Sequence, residues 1–398
     1  MDHRGATATR AAPALSRNSI SILAAACGLA VANANYSQPL LVDIGQSLHL
    51  TDSAVSLLPA LTQLGVAAGI LLLLPLGDTI PTRRLLSVAI SVQALALAAT
   101  ALAPSGTMLL ATGVLVGFFG ITPYVLPPYA TLRTPIERRG RVTALLAQGV
   151  IVGMLLARSI SGVVGLHFGW RSVYALAAVA MLLLLVPLRW TVRAAPPSAT
   201  ATYPALMLSL IEVFRTVPVV RWSALCQGLS TGSFAVLWTG ISFHMQSSLF
   251  GWHSDGVGGL ALIGAAAAIC APFVGGFTDR KGPRLSLLVA LMMVFAAWGI
   301  LAAFGDAVAG VIIGMIVLDL GATAADISNR TIIFSLRPEI RTRLAVIYMF
   351  GKFAGAGAMA WLAGLAWSSC GWPAVCALGA LLAAAAVVAW VGVGRTIS

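Results

Sequence analysis

Four polar or ionisable residues stand in an apolar part of the chain, and their chemistry suits the movement of an ion or a solute. Residues 306-357 predict two membrane-spanning helices joined by a basic loop, and they contain Asp319, Asp326, Asn329 and Lys352. An ionised group costs about 3 kcal/mol or more at the centre of a bilayer, so such groups usually face a wet cavity or a partner. We therefore expect this hairpin to be the working element of the protein.

The spacing of these residues predicts how they meet. Asp319 and Asp326 are seven positions apart, nearly two helical turns, which places both on one helix face about 10 Å apart along the axis. If the basic loop marks the membrane surface, Lys352 on the returning helix lies at nearly the same depth as Asp326. The two side chains are then close enough to pair.

Three hypotheses for these charges remain open at this stage. In the first, Asp326 or Asp319 takes up and releases a proton, and Lys352 or Arg158 competes for the ionised carboxylate. In the second, the two basic residues are fixed charges that attract an anionic or polyhydroxyl substrate. In the third, Asp326 pairs with Arg330 four residues later and has a structural role. The first two are compatible.

The composition predicts a polytopic membrane protein. Apolar residues make up 59% of the 398 residues and charged residues only 9%, far from the composition of a soluble domain. A membrane-spanning helix needs about 20 apolar residues. The sequence predicts an all-α fold with twelve such segments, spans 1 to 12: 19-42, 53-76, 85-103, 107-130, 142-166, 171-189, 221-245, 257-277, 285-304, 307-332, 344-367 and 373-393.

The basic residues indicate orientation rather than nucleic-acid binding. The formal net charge is +12, but almost every Lys and Arg falls in a cytoplasmic segment if both termini are inside, as the positive-inside rule requires. Membrane lipids with anionic headgroups are then the expected neighbours, and no nucleic acid is expected. The five cysteines show no metal-ligand spacing, so we predict packing roles for them and neither a metal nor a cofactor.

An internal repeat divides the chain into two halves. Shifting the sequence by 202 residues lays 141-165 over 343-367 and matches Gly149 with Gly351 and Gly153 with Gly355. Two pseudo-symmetric bundles of six helices follow from this repeat. The predicted divisions are a cytoplasmic tail 1-18, a first bundle 19-189, a cytoplasmic connector 190-218, a second bundle 219-393 and a terminal tail 394-398.

The loop between spans 8 and 9 carries a specific motif. The sequence "GGFTDRKGPR" at 275-284 resembles the loop signature of the major facilitator superfamily, Gly-x-Leu-x-Asp-Arg-x-Gly-x-Arg. The copy between spans 2 and 3 is weaker, with Leu74 at the leading Gly and Pro81 at the turn Gly. The residues that fit the two copies are Gly275, Asp279, Arg280, Gly282 and Arg284 in the second half and Asp78, Arg83 and Arg84 in the first.

This resemblance implies a transporter with twelve helices that functions as a monomer by alternating access. The loop charges would then form a gate, because a carboxylate at a helix end can pair with loop arginines and is stabilised by the positive N-terminus of a neighbouring helix. We expect Asp78 and Asp279 to close the cytoplasmic side in the outward-facing state. The alternative is that these charges only fix the topology.

Further segments are similar to the bacterial sugar and drug efflux permeases of the arabinose-efflux type: "NYSQPLL" at 35-41, "RSISG" at 158-162, "FGWRSVY" at 168-174 and the region from 327 to 349. This similarity implies a multi-pass protein of the bacterial inner membrane that exports a small molecule.

Span 5 fits the antiporter signature of the superfamily only in part. Gly140, Gly149 and Gly153 match it, but Met154 replaces the Pro, and Arg158 stands where a glycine is expected. This departure weakens the prediction of antiport. Arg158 either faces a central cavity or extends along the helix to the outer surface.

Polar residues in other spans are candidates for substrate binding. Asn33, Asn35, Tyr36 and Gln38 interrupt an apolar run in span 1, where Pro39 predicts a bend, and they are typical of a cavity wall. Structural hydrogen bonds between helices explain one or two such residues at most. The candidate substrate-binding residues are Asn33, Tyr36, Gln38, Gln63, Tyr124, Tyr129, Trp238 and Asn329.

These features together favour a secondary active transporter. The sequence contains no His-Glu-x-x-His, Gly-x-Ser-x-Gly or phosphate-binding loop, so an enzyme is not expected, and no soluble signalling domain supports a receptor. We predict proton-coupled efflux of a small molecule such as a sugar or drug. Proton-coupled uptake, or facilitated movement, of a sugar or an organic anion uses the same parts and remains the alternative.

Overall fold

The computed structural model describes residues 15-193, 202-336 and 338-397, and the side chains of residues 265-272, 338 and 397 are outside this description. Every regular element in these ranges is a helix. The α-helices are Arg17–Ala32, Leu41–Leu48, Asp52–Val55, Leu57–Leu76, Thr82–Ala101, Gly106–Phe118, Thr122–Leu132, Arg139–Phe168, Trp170–Thr191, Tyr203–Thr216, Pro218–Met245, Ser254–Leu260, Gly264–Lys281, Pro283–Phe304, Val308–Phe334 and Arg341–Ile397.

The twelve predicted spans map onto these helices, although several spans are not single straight helices. Within the described ranges, eight helices are long and apolar enough to cross a membrane, or nine if the bent pair Tyr203–Thr216 and Pro218–Met245 is one span. One of the eight contains spans 11 and 12, which separate at the non-helical residues Cys370 and Gly371. Spans 1 and 8 are each built from two shorter helices.

Span 1 differs from the sequence prediction. Its first helix ends at Ala32, and residues 33-40 form turns before the helix Leu41–Leu48 begins. The predicted bend near Pro39 is therefore a longer interruption that begins at Asn33. Because Asn and Ser side chains compete for backbone hydrogen bonds, the run of Asn33, Asn35 and Ser37 favours turns over helix. Span 4 is interrupted in a similar way between Phe118 and Thr122, before its three prolines.

Matched glycines produce the same helix crossing in each half. A Cβ placed on Gly28 of span 1 would lie 2.6 Å from the carbonyl oxygen of Gly149 in span 5, and one on Gly228 of span 7 would lie 2.7 Å from that of Gly351 in span 11. Only glycine allows backbones to approach this closely. The repeat read from the sequence is thus a repeat of packing as well.

A left-handed glycine also recurs at the turn that follows each of these crossings. Gly169 has φ +80° between spans 5 and 6, and Gly371 has φ +65° between spans 11 and 12. The two positions are 202 residues apart, as the sequence repeat requires. A residue with a Cβ would be strained at either turn.

One end of the bundle carries Arg83, Arg280 and Arg341 and is called the basic end. The other end carries Gly169, Ser254 and Gly371 and is called the opposite end. The two halves meet closely at the opposite end. At the opposite end, Ser254 Oγ donates a hydrogen bond to the carbonyl of Gly162 at 3.2 Å, and Ser242 Oγ donates one to the carbonyl of Gln38 at 2.5 Å. Spans 5 and 8 and spans 1 and 7 are therefore joined across the halves.

A fourteen-residue helix, Tyr203–Thr216, occupies much of the predicted connector. It makes an angle of 91° with span 7. Its Tyr203 hydroxyl donates a hydrogen bond to the carbonyl of Leu72 in span 2 at 3.0 Å, while Leu210 and Val213 pack in an apolar cluster with Leu344 of span 11. The connector helix thus contacts both halves at the basic end.

Candidate functional site

Arg158 of span 5 lies at the centre of a cluster that joins the halves. Its side chain is only 2% exposed. The guanidinium donates hydrogen bonds to Asn35 Oδ1 at 3.0 Å and to Gln38 Oε1, and its central carbon lies 4.2 Å from the ring centroid of Trp238 in span 7. This geometry is a cation–π contact on one side and amide binding on the other. Arg158 therefore faces inward and does not extend to the surface.

Asp319 of span 10 is the acidic neighbour of this cluster. It is 5% exposed, and its Oδ1 atom is buried without a hydrogen-bond partner among the described residues. It interacts electrostatically with Arg158, although no ion pair within 4 Å joins them. A buried carboxylate oxygen without a donor is costly. Asp319 is thus an acid whose charge is incompletely compensated.

The backbone of span 8 passes directly beside Asp319. A Cβ placed on Gly264 would lie 3.0 Å from Asp319 Oδ2 and 3.0 Å from Leu155 Cδ2 of span 5. Gly264 therefore permits spans 5, 8 and 10 to converge on the acid. Sequence reasoning missed this residue, because one glycine among many carries no signal of its neighbours.

Asp326, nearly two turns further along span 10, has the opposite surroundings. Its Oδ2 lies 3.1 Å from Lys352 Nζ and 3.0 Å from Arg330 Nη2, and its Oδ1 accepts a hydrogen bond from the Tyr348 hydroxyl at 2.8 Å. The pairings with Lys352 and with Arg330, which the sequence presented as alternatives, are both present. Tyr348 was missed, although it precedes Lys352 by one helical turn and so lies on the same face.

Several candidate polar residues have buried atoms with no partner among the described residues. These atoms are Nδ2 and Oδ1 of Asn33, Oε1 of Gln63, Nε1 of Trp238 and Oδ1 of Asn329. Asn329 also donates to the carbonyl of Ser223 at 2.9 Å. Buried polar groups are normally hydrogen-bonded, so unpartnered ones suit water or a bound polar molecule.

The three candidate tyrosines are not brought together. Tyr36 packs edge-on against Tyr174 with 6.4 Å between ring centroids, and Tyr124 packs against Phe353 of span 11 at 5.6 Å. Tyr129 lies at the basic end, where its hydroxyl accepts a hydrogen bond from the backbone N–H of Arg193 at 2.9 Å. The contact of Tyr129 is one that stabilises a helix end.

The predicted gating residues all lie at the basic end. Asp78 is half-buried, and burial raises the pKa of its carboxyl, with attraction to Arg343 of the other half opposing the shift. Arg84 is exposed, and Arg83 borders a groove described below. Asp78 of the first half therefore already interacts electrostatically with an arginine of the second half.

The second copy of the loop signature is less engaged. Gly275 is followed by Asp279 and Arg280, both exposed, and Gly282 turns the chain with φ +83°. Arg284 donates a hydrogen bond to the carbonyl of Gly394. Both ion pairs in the described ranges belong to Asp326, so the gate expected at Asp279 is not formed in this conformation.

Comparison with a sequence model of a known family decides the membership of the chain. The model described as Major Facilitator Superfamily matches residues 20-335. The chain belongs to this superfamily. It is therefore a multi-pass membrane transporter with the twelve-helix, two-bundle fold of the major facilitator superfamily, and not an enzyme. No group of three or more His, Cys, Asp or Glu residues suited to a metal occurs in the described ranges.

Two bacterial relatives of similar length carry the name of transporter. The uncharacterized transporter YgaY of Escherichia coli O157:H7 is 34% identical over 375 residues, which cover 93% of this chain and 94% of YgaY. The protein called "Probable transporter SCO4007" of Streptomyces coelicolor is 29% identical over 370 residues, covering 92% and 85%.

Solved structures of superfamily transporters share the fold at low identity. A point mutant of the nucleoside transporter NupG matches with a TM-score of 0.76 and 13% identity over 96% of this chain and 99% of NupG. A bacterial homologue of the human lysosomal transporter Spinster, in an inward-facing and unoccupied conformation, matches with a TM-score of 0.70 and 15% identity over 95% of each chain.

Proposed function

We propose that this transporter couples the movement of a small polar molecule to that of protons across the bacterial inner membrane, by alternating access and in the direction of efflux. The observation that carries the proposal is the arrangement at Asp319: a buried acid, incompletely hydrogen-bonded, that faces a buried arginine bound to both halves.

The coupling step follows from electrostatics. When Asp319 is ionised, its attraction to Arg158 draws span 10 of the second half towards span 5 of the first. A proton on Asp319 removes both this attraction and the cost of a charge in a dry interior. Arg158 is then held by Asn35, Gln38 and Trp238 alone. Protonation of Asp319 thus weakens the attraction between the halves and deprotonation restores it, as alternating access requires.

The Asp326 cluster has a different role in this proposal. One carboxylate faces two cations, Lys352 and Arg330, so the cluster keeps a net positive charge without needing a proton. It is a fixed charge at the wall of the pathway. The unpartnered atoms of Asn33, Gln63 and Asn329 supply hydrogen-bonding groups for a polar substrate.

The net charge of the Asp326 cluster also favours a second candidate, proton-coupled uptake of a sugar or an organic anion. Import and export use the same two states and differ in which gradient drives the cycle. Efflux of a sugar or drug rests on the similarity to efflux permeases and on the partial antiporter signature of span 5. The superfamily resemblance further implies a monomer that works without a cofactor.

The test uses purified protein in liposomes that contain a pH-sensitive dye, challenged with sugars, organic anions and lipophilic cations. We expect substrate-dependent proton flux in the wild type. Asp319→Asn, which keeps the shape of the side chain but cannot release a proton, is expected to abolish proton flux while retaining exchange of labelled substrate. Asp319→Glu is the matched control that restores the acid.

Two results would contradict the proposal. Normal proton-coupled transport by Asp319→Asn, with loss of coupling in Asp326→Asn, would move the proton site to Asp326. Substrate movement in the wild type without any proton flux would make the protein a facilitator or couple it to another ion. The direction of proton flow relative to substrate distinguishes efflux by antiport from uptake by symport.

A further inference from the structure

A groove on the outside of the first bundle has the chemistry of a lipid site. It lies between the beginning of span 3, at Thr82, and the end of span 6, at Thr191. A hollow of about 520 Å³ and a second, much smaller one share Arg83 and Arg189 as lining residues. The larger one is open and falls in the size range of about 300–1,000 Å³ that is common for small-molecule sites.

The two arginines of the groove have no ionic or hydrogen-bonding partner in the part of the chain that the structure describes. Within the described ranges neither Arg83 nor Arg189 forms an ion pair or a side-chain hydrogen bond, and no acidic residue borders either hollow. The guanidinium group binds phosphate oxygens in a bidentate manner. Two such groups, with the N-terminus of span 3 beside one of them, form a receptor for an anion.

The rest of the groove is apolar and faces outward. Leu86 and Ile90 of span 3, both buried, form its floor with the half-buried Leu185 of span 6. At its edge, Val186 is 62% exposed and Trp190 is 81% exposed. An exposed tryptophan at a helix end is typical of the level of lipid headgroups, with the aliphatic surface below it facing the acyl chains. A ligand that suits both parts has a phosphate head and hydrocarbon tails.

We propose that this groove is a binding site for an anionic phospholipid of the cytoplasmic leaflet. The lipid phosphate binds Arg83 and Arg189, and an acyl chain lies along the exposed apolar surface of span 6 at Val186 and Leu183. A free phosphate ion satisfies the arginines but leaves the apolar part of the groove uncovered. The site is separate from the Asp319 cluster and does not depend on what the protein transports.

The experiment measures lipid retention on the purified full-length chain. Protein is incubated in detergent with equal amounts of phosphatidylglycerol and phosphatidylcholine of the same chain length, and bound lipid is counted by native mass spectrometry. We expect the double variant Arg83→Gln and Arg189→Gln to lower the preference for phosphatidylglycerol by about 30-fold, since two basic residues together contribute about 2 kcal/mol to such binding. Arg189→Gln alone is expected to lower it less.

A matched control removes two charges elsewhere at the basic end. Arg215→Gln and Arg221→Gln, both exposed, are expected to keep the wild-type preference. An equal loss in this control would assign the preference to diffuse electrostatics and overturn the site, as would an unchanged preference in the groove variant. Inorganic phosphate at the same concentration is expected to leave the lipid bound. Displacement of the lipid by phosphate alone would overturn a lipid as the occupant.

Discussion

Single residues differ sharply in how well their charges are compensated. Asp326 has a lysine, an arginine and a tyrosine hydroxyl within 3.1 Å. Asp319, in contrast, has a buried carboxylate oxygen with no hydrogen-bond partner among the described residues. Removing one partner from a buried pair is costly because the remaining charge is left uncompensated. The two acids are therefore expected to respond to substitution in different ways, one through stability and the other through coupling.

For the Asp326 cluster, we predict that Asp326→Asn lowers the free energy of unfolding by about 3 kcal/mol, since it leaves Lys352 and Arg330 facing each other without an acid. Lys352→Met is expected to cost clearly less, because Asp326 keeps Arg330 and Tyr348. Thermal unfolding of both variants in the same detergent compares the two losses. Equal losses would show that the arginine does not compensate Asp326 on its own.

The sequence predicts the contacts of the Asp326 cluster better than those of the Arg158 cluster. The contact of Asp326 with Lys352 was predictable, because depth in a span can be counted from a basic loop. The contacts of Arg158 with Asn35, Gln38 and Trp238 were not, since they depend on how three spans from two halves are arranged. Asn35 and Gln38 were identified as polar wall residues, but their partner could not be read from spacing within one helix.

Helices come into contact across the halves through glycine surfaces. In the first turn of span 8, a Cβ on Gly258 would lie 2.5 Å from the carbonyl oxygen of Arg158, whereas one on Gly259 would meet nothing within 4 Å. The sequence predicted spans 5 and 8 but not that Gly258 would face Arg158. Which residue faces a neighbouring helix depends on the rotation of the helix about its own axis. The sequence of an almost uniformly apolar span does not reveal this rotation.

At this contact we predict that Gly258→Ala destabilises the conformation closed at the opposite end by about 1–3 kcal/mol, the usual cost of overpacking. Its population should fall by about 5- to 150-fold relative to states open there. Spin labels at Phe168 and Leu249, both exposed at that end, are expected to report longer distances. Gly259→Ala carries the same change in helix propensity and should leave the distances unchanged; a similar effect of both variants would contradict the packing argument.

The whole molecule has a distinct distribution of charge between its two ends. Basic loops cluster at one end, which the positive-inside rule assigns to the cytoplasm. Composition and the sequence repeat were sufficient to predict the twelve spans and the two halves, because apolar length and internal similarity are properties of the chain itself. The bend in span 1 was predicted, but the length of its interruption and the break in span 8 were not, since both depend on local backbone geometry rather than on apolar length.

A native cysteine permits a direct test of orientation. Cys370 is exposed at the opposite end, while Cys27, Cys226 and Cys376 are buried. In a Cys270→Ser background, which removes the one cysteine whose side chain is outside the description, we predict that a membrane-impermeant maleimide labels the protein in intact cells and that Cys370→Ser removes this labelling. In the Cys370→Ser background, Ser335→Cys at the basic end is expected to react only after lysis. Labelling of Ser335→Cys in intact cells would reverse the assigned topology.

The matched glycine crossings have a consequence for the ancestry of the protein. Two copies of a duplicated gene begin identical, yet at the shift that aligns the glycines, Arg158 corresponds to Ala360 and Lys352 to Val150. The two halves thus share the small residues on which helix crossing depends and differ at the positions beside them. A duplication that kept the crossings left each half free to carry its own buried cation, an arginine in one and a lysine in the other.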